Sequence, residues 1–397
     1  MSTPPDTAPS TAAVLPTATA RLEDGIARRL HRGAQLCVHQ GGAVVAELAV
    51  GEARDGVAMR ADTLMPWLSS VKPVTAVAVA RLAERGALAL DDAVARHLPE
   101  FAAGGKGGVT LRHLLSHSGG FRTREIGGPR RSWEENLARI CARPLEDGWV
   151  PGETFGYHPV SSWYVLGEVI RRVTGELPSR HLRRHVLEPL GMADSRVGTT
   201  PEEYHHLAPR LAAVWRTGSG EASAAAMDHR FPWDTEPWVA RESPAENGWG
   251  PMRDLAELYA ALLAGGGAVL APASVAELVR PQREDGAFDR SLQRVVHWGL
   301  GLRVHGLTAE RRPSGGRDFG PHAALGTYGH GGFRSSVAFA DPGHGLVVAL
   351  AVNGIPDARL HRRRFRDVVA GVYADLGLAS QAGTPAAGGR GVEGAEA

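Results

Sequence analysis

The sequence predicts an α+β fold: one antiparallel sheet built from both chain ends, flanked by helices, with a helical insertion between those ends. Three observations carry this prediction. Apolar residues alternate with period two near the N-terminus, over 35–39 and 43–50, the spacing of a half-buried strand. The strand pattern returns over 293–305, 335–340 and 346–352. Between these runs, residues 110–268 carry mostly helical spacing broken by long loops. Strands at the two ends share a sheet only if the chain returns on itself, which leaves the middle as an insertion.

The elements follow in order. Residues 21–32 read as a helix, and Gln40-Gly41-Gly42 joins the first two strands as a hairpin. A second helix spans about 69–86, followed by a loop and a short helix over 87–98. Further helices are expected at 110–116, 132–142, 161–174, 179–187 and 252–264. Residues 201–249 have little periodicity and hold Trp215, Trp233, Trp238 and Trp249. A structureless loop of that length inside a compact domain is either functional or mis-assigned. Asp341-Pro342-Gly343 turns the chain between the last two strands. Residues 359–376 close the domain as an amphipathic helix.

Composition sets the bounds. With 397 residues, 43% hydrophobic and 22% charged, the chain can bury one large core or two smaller ones. The reading is a tail over 1–19, a domain over 20–377 and a second disordered tail over 378–397. Within the domain, 20–68 and 290–377 form the α/β part and 69–289 the mostly helical part. A net charge of +1 speaks against a nucleic-acid partner, and the basic run from His361 to Arg366 reads as a solvated helix face. Cys37 and Cys141 are too few for a disulfide framework or a thiolate metal site. The first 18 residues lack the charged and apolar regions of a secretory signal. No window approaches 18 continuous apolar residues, so no membrane span is expected, and the expected location is cytoplasmic.

The chemistry starts at Ser69-Ser70-Val71-Lys72, followed by Pro73. Proline favours the first turn of a helix, so the helix starts at Ser69 or Ser70. One turn separates Ser69 from Lys72, which puts both side chains on one face. A hydroxyl there has an amine within reach and sits in the positive field of a helix N-terminus, the setting of an activated nucleophile. The bland alternative is a serine cap beside a solvated lysine.

Two further motifs tip the balance. Pro151-Gly152-Glu153-Thr154-Phe155-Gly156-Tyr157-His158-Pro159 precedes a helix, and Tyr328-Gly329-His330-Gly331-Gly332-Phe333-Arg334 enters a strand. In this order the three elements resemble the serine β-lactamase and penicillin-binding-protein superfamily, nearest to class C enzymes and their related esterases. The stretches from Thr110 to Gly120, from Glu188 to Met192 and from Asp254 to Ala256 extend the resemblance, which spans about 21–376.

The resemblance implies a β-lactamase-like fold and a serine enzyme needing no cofactor or metal. Ser69 corresponds to the acylated nucleophile, Lys72 to its proton partner and Tyr157 to a proton shuttle. His330 and Gly332 match the H-x-G form of the substrate strand, and the N–H groups of Ser69 and Phe333 correspond to the oxyanion hole. Which of Lys72 and Tyr157 is the general base stays open. Two departures bear on the substrate. Pro159 stands where the family usually has Asn, and its side chain donates no hydrogen bond. His330 replaces a frequent Lys, a poorer anchor for a carboxylate when neutral. Both favour ester or acyl-transfer chemistry over β-lactam hydrolysis.

Other residues have competing readings. His158, Trp249 and Arg334 are candidates for the substrate pocket, with core packing or a solvated rim as the alternatives. The i, i+4 pairs His113/His117 and His181/His185 have metal-ligand spacing but are read as structural. The expected function is that of a serine hydrolase or acyltransferase forming a Ser69 acyl-enzyme on a small-molecule ester or amide, with water, an amine or an alcohol as acceptor. The alternatives are a transacylase of natural-product biosynthesis, a weak β-lactamase or D-peptidase, and a non-catalytic binding or sensor module.

Overall fold

The computed structural model describes residues 14–123, 128–217, 230–306 and 319–379. The expected tails therefore lie outside the described residues, apart from 14–19 and 378–379. Residues 16–19 are a correction: they belong to helix α1, Pro16–Ala27. Leu15, Ala18 and Leu22 are buried. The N–H groups of Thr17 and Ala18 donate to the Asp375 carboxylate at 3.2 and 3.0 Å. A carboxylate at the positive end of a helix fixes that end, and the Thr/Ala composition of the segment gives no sign of a partner so far along the chain.

A nine-stranded sheet forms the centre. Its strands are β1 (Gly33–Gln40), β2 (Ala43–Arg54), β3 (Val57–Ala58), β4 (Ala287–Asp289), β5 (Arg294–Trp298), β6 (Arg303–Val304), β7 (Tyr328–Gly332), β8 (Ser336–Asp341) and β9 (Leu346–Val352). The order is β3-β2-β1-β9-β8-β7-β6-β5-β4. The first and last strands of the two chain ends meet at the β1–β9 pairing, antiparallel with Leu36 opposite Leu350. The run read as a single strand over 293–305 is instead the hairpin β5–β6, because Gly299 and Gly301 reverse the chain between them.

Alternation in the central strands separates two cores. On one face Leu36, Val38, Val337, Phe339, Val348 and Leu350 pack under α1 and the closing helix α7, Ala358–Asp375. On the other, Cys37, Ala338, Ala340, Val347 and Ala349 join the core of the helical region. Helix α6, Met252–Leu263, packs on β1, β8 and β9 from this side. The helical region also contains α2 (Lys72–Glu84), α3 (Leu111–Leu115), α4 (Trp133–Ala142) and α5 (Ser161–Thr174). Residues 201–249 are not one loop. They hold the helices Pro201–Leu207 and Glu236–Val239 and the short strands Val214–Arg216 and Arg230–Phe231. These pieces are too short to show a period.

Candidate active site

The sheet meets the helical region at β7, and Ser69 lies there. Residues Leu68–Val71 form a single 3₁₀ turn that runs into α2, with Pro73 in the first turn of that helix. Leu68 adopts a φ of 49°, a left-handed conformation that a branched apolar residue rarely takes. Strain of this kind collects at functional sites. Strand β7 packs tightly on the turn. A Cβ at Gly332 would collide with the Trp67 carbonyl oxygen and the Ser336 hydroxyl, and would lie 3.2 Å from the Leu68 Cβ. Glycine is therefore required where the strand passes the candidate nucleophile.

Two donors converge on the Ser69 hydroxyl. Lys72 Nζ donates to Ser69 Oγ at 2.8 Å, and Tyr157 Oη donates to it at 2.9 Å. Lys72 also donates to the Ala245 carbonyl at 2.6 Å. Its side chain is fully buried. Burial pushes its ammonium down to about 7, with Glu246 opposing the shift. Burial also lifts the Tyr157 phenol well above its ordinary range, against the hydrogen bond to Ser69. The two candidate bases are thus separated, since only Lys72 is available in its basic form near neutrality.

Ser70, the neighbouring hydroxyl, is engaged elsewhere. It donates to the His330 carbonyl at 3.3 Å and shares a 3.0 Å hydrogen bond with Ser336, which donates to Trp67 O at 2.7 Å. These bonds tie the nucleophile turn to β7 and β8.

Tyr157 is held by a residue that the sequence did not single out. Asp289, fully buried, accepts the Tyr157 N–H at 3.1 Å and the Ser291 and Leu292 N–H groups at 2.8 Å each. Its other oxygen accepts Trp298 Nε1–H at 2.9 Å. Trp298 in turn stacks on the Tyr157 ring, with centroids 5.7 Å apart and planes 7° from parallel.

The remaining candidates divide. His330 lines the cleft on β7. Its Nδ1 lies 2.9 Å from the Gly331 carbonyl. Burial, with Arg303 and Lys72 nearby, holds its imidazole well below the usual range, so it is neutral. Phe333 is 54% exposed at the rim. Arg334 lies over its ring at 5.0 Å and donates to the Pro356 carbonyl at 3.2 Å. Trp249 reaches the cleft but is mostly a core residue: it packs with Leu64, Leu211 and Val239 and donates to Asn247 Oδ1 at 3.0 Å.

His158 is a correction. It is fully buried behind the site, where its Nε2 accepts the Phe121 N–H at 3.3 Å and its own N–H donates to His117 Nδ1 at 3.2 Å. The neighbouring Pro159 faces the cleft in its place.

The histidine pairs separate as well. His113 Nδ1 accepts the Thr110 N–H in a capping box. His181 and His185 both lie against Glu176, at 2.9 and 3.5 Å.

With this geometry in place, the comparisons are specific. Residues 19–372 match the model of the β-lactamase family, and the chain belongs to that family. The esterase/β-lactamase LipL of Mycobacterium tuberculosis is 27% identical over 355 residues, 81% of this chain and 77% of LipL. Esterase EstB of Burkholderia gladioli is 36% identical over 170 residues, covering 38% of this chain and only 42% of EstB. The solved penicillin-binding-protein homologue from Caulobacter crescentus is 29% identical, with a TM-score of 0.74 over 95% of this chain and 99% of that one.

Proposed function

We propose that the protein is a serine hydrolase or acyltransferase that works through an acyl-enzyme on Ser69, with a small-molecule ester as acyl donor. The observation that carries this reading is the convergence of Lys72 Nζ and Tyr157 Oη on Ser69 Oγ, at 2.8 and 2.9 Å.

Neutral Lys72 takes the Ser69 proton as Oγ attacks the carbonyl carbon. The N–H groups of Ser69 and Phe333 stabilise the developing oxyanion, a contribution that is large where water is excluded. Tyr157, protonated at rest because burial raises its phenol, gives its proton to the leaving alkoxide and regains one from Lys72. The ester C–O bond breaks and an alcohol leaves. Water, an alcohol or an amine then attacks the acyl-enzyme by the same route in reverse. The names of LipL and EstB support an ester as substrate. The neutral His330 and the donor-free Pro159 side chain support it further.

Labelling with a fluorophosphonate followed by peptide mapping tests the reading. The label is expected on Ser69. Label on Ser70, or on no serine of this turn, contradicts it.

A further inference from the structure

Spacing alone offers His181 and His185 as two nitrogen ligands without a third. The fold supplies Glu176. Among the described residues, these three are the one group of His, Cys, Asp or Glu side chains placed to hold a metal ion, with ligand atoms that all lie within 4.8 Å of one another.

Three short pieces of chain bring them together. Helix α5 ends at Thr174, and Gly175, with a φ of 74°, turns the chain back. The Glu176 N–H then donates to Thr174 Oγ1 at 3.1 Å, which ties its backbone to the end of α5. A short helix, Pro178–Leu182, carries His181, and the π-helical turn Arg183–Leu187 carries His185. Turns of this kind are rare and concentrate at functional sites. Both elements pack on α2, and Pro178–Leu182 packs on α5 as well, so the side chains stand on supported backbone.

One carboxylate oxygen faces both rings. Glu176 Oε2 lies 2.9 Å from His181 Nδ1 and 3.5 Å from His185 Nε2. The ring centroids are 4.4 Å apart. Metal–ligand bonds of about 2.0–2.2 Å place the ligands of a tetrahedral ion roughly 3.3–3.6 Å apart, so small side-chain shifts admit one. An ion pair needs a single imidazole, whereas two on the same oxygen make a ligand set. The other oxygen, Oε1, faces Arg184 at 3.4 Å.

The protonation states fit as well. Burial holds the His181 imidazole below its ordinary range, and the hydrogen bond from His181 holds the Glu176 carboxyl below its own. A neutral imidazole and a carboxylate are the forms that ligate a metal. His181 is 4% exposed, and its Nε2 has no hydrogen-bond partner among the described residues, so only Glu176 anchors the ring. Glu176 and His185 are half-buried, which leaves a fourth position open to water.

We infer that Glu176 Oε2, His181 Nδ1 and His185 Nε2 form a binding site for a zinc-type divalent ion, with water as fourth ligand. The ion clips the end of α5 to the turn that leads into residues 188–192. Two imidazoles and one carboxylate suit zinc. Magnesium and calcium need more oxygen ligands than one carboxylate offers. Arg184, and Arg81 whose charge acts on His181, also disfavour an ion held by charge alone. None of the three ligands lines the cleft, so the expected effect of the ion is on stability.

Calorimetry and thermal melts on the untagged, chelator-treated full chain test this with zinc chloride. One equivalent of zinc is expected to bind and to raise Tm by about 1–4 °C, and magnesium chloride to do neither. Glu176→Gln and His185→Gln should each weaken zinc binding by about tenfold or more, whereas His205→Gln, an exposed histidine elsewhere, should leave it unchanged. A second measurement needs no variant. Zinc should protect His185 from carbethoxylation by diethyl pyrocarbonate, mapped by peptide mass spectrometry. Absence of saturable zinc binding overturns the inference. So does zinc binding that survives Glu176→Gln and His185→Gln at full strength, or that leaves the reactivity of His185 unchanged.

Discussion

Asp289 fixes Tyr157 from behind: its buried carboxylate accepts the tyrosine's backbone N–H at 3.1 Å while its second oxygen orients Trp298, which stacks on the tyrosine ring. One side chain thus sets both the main chain and the ring face of the proposed proton donor. Asp289→Asn turns one acceptor oxygen into a donor facing N–H groups. The expected cost is about 1.5–3 kcal/mol of stability, with a fall in kcat larger than any rise in KM. Thermal melts and ester kinetics check this. Unchanged kcat in a destabilised variant would reduce Asp289 to a packing role.

Lys72 sets the pH dependence. Its ammonium is lowered from 10.5 to about 7 by burial, and the mechanism needs the neutral amine. kcat/KM for a simple ester should therefore rise with pH through about 7 and then level off. The stability linkage runs with the same sign. Between pH 10.5 and about 7 the unfolded chain binds a proton that the folded chain does not, so the folded state loses stability as pH falls through that window. Lys72→Met removes the charge cost. It should lower turnover by about 10²–10⁴-fold while raising the melting temperature at neutral pH, read by calorimetry alongside the pH–rate profile.

Substrate class follows from His330 and Pro159. A neutral imidazole and a proline offer little to the carboxylate and amide of a β-lactam. Each missing charged or hydrogen-bonded contact is worth about 1.5–3 kcal/mol, so kcat/KM for nitrocefin should fall roughly two to four powers of ten below that for p-nitrophenyl butyrate. A higher value for nitrocefin would make β-lactam hydrolysis the better description.

Ser69 and Lys72 were legible because one helical turn is a local rule, and proline marks where that turn begins. Tyr157 and the H-x-G strand were legible through family resemblance, since nothing in their spacing brings them to the serine. The sheet from both chain ends was legible because β1 and β9 are short runs rich in Val, Leu and Ala bounded by glycine turns. Asp289 was not, because it sits in a three-residue strand and its role exists only once that strand meets the Tyr157 loop. His158 was misread for a similar reason: adjacency to Tyr157 in sequence says nothing of which side of the chain faces the cleft. The start of α1 was hidden because its N-terminal N–H groups are satisfied by Asp375, at the far end of the domain.

The acyl-enzyme itself is the most direct test. Intact-mass spectrometry after brief incubation with p-nitrophenyl butyrate should show one butyryl adduct on the native protein, mapped to Ser69, and none on a folded Ser69→Ala variant. An adduct that persists on the alanine variant, or ester turnover that survives the substitution at its full rate, would contradict the account.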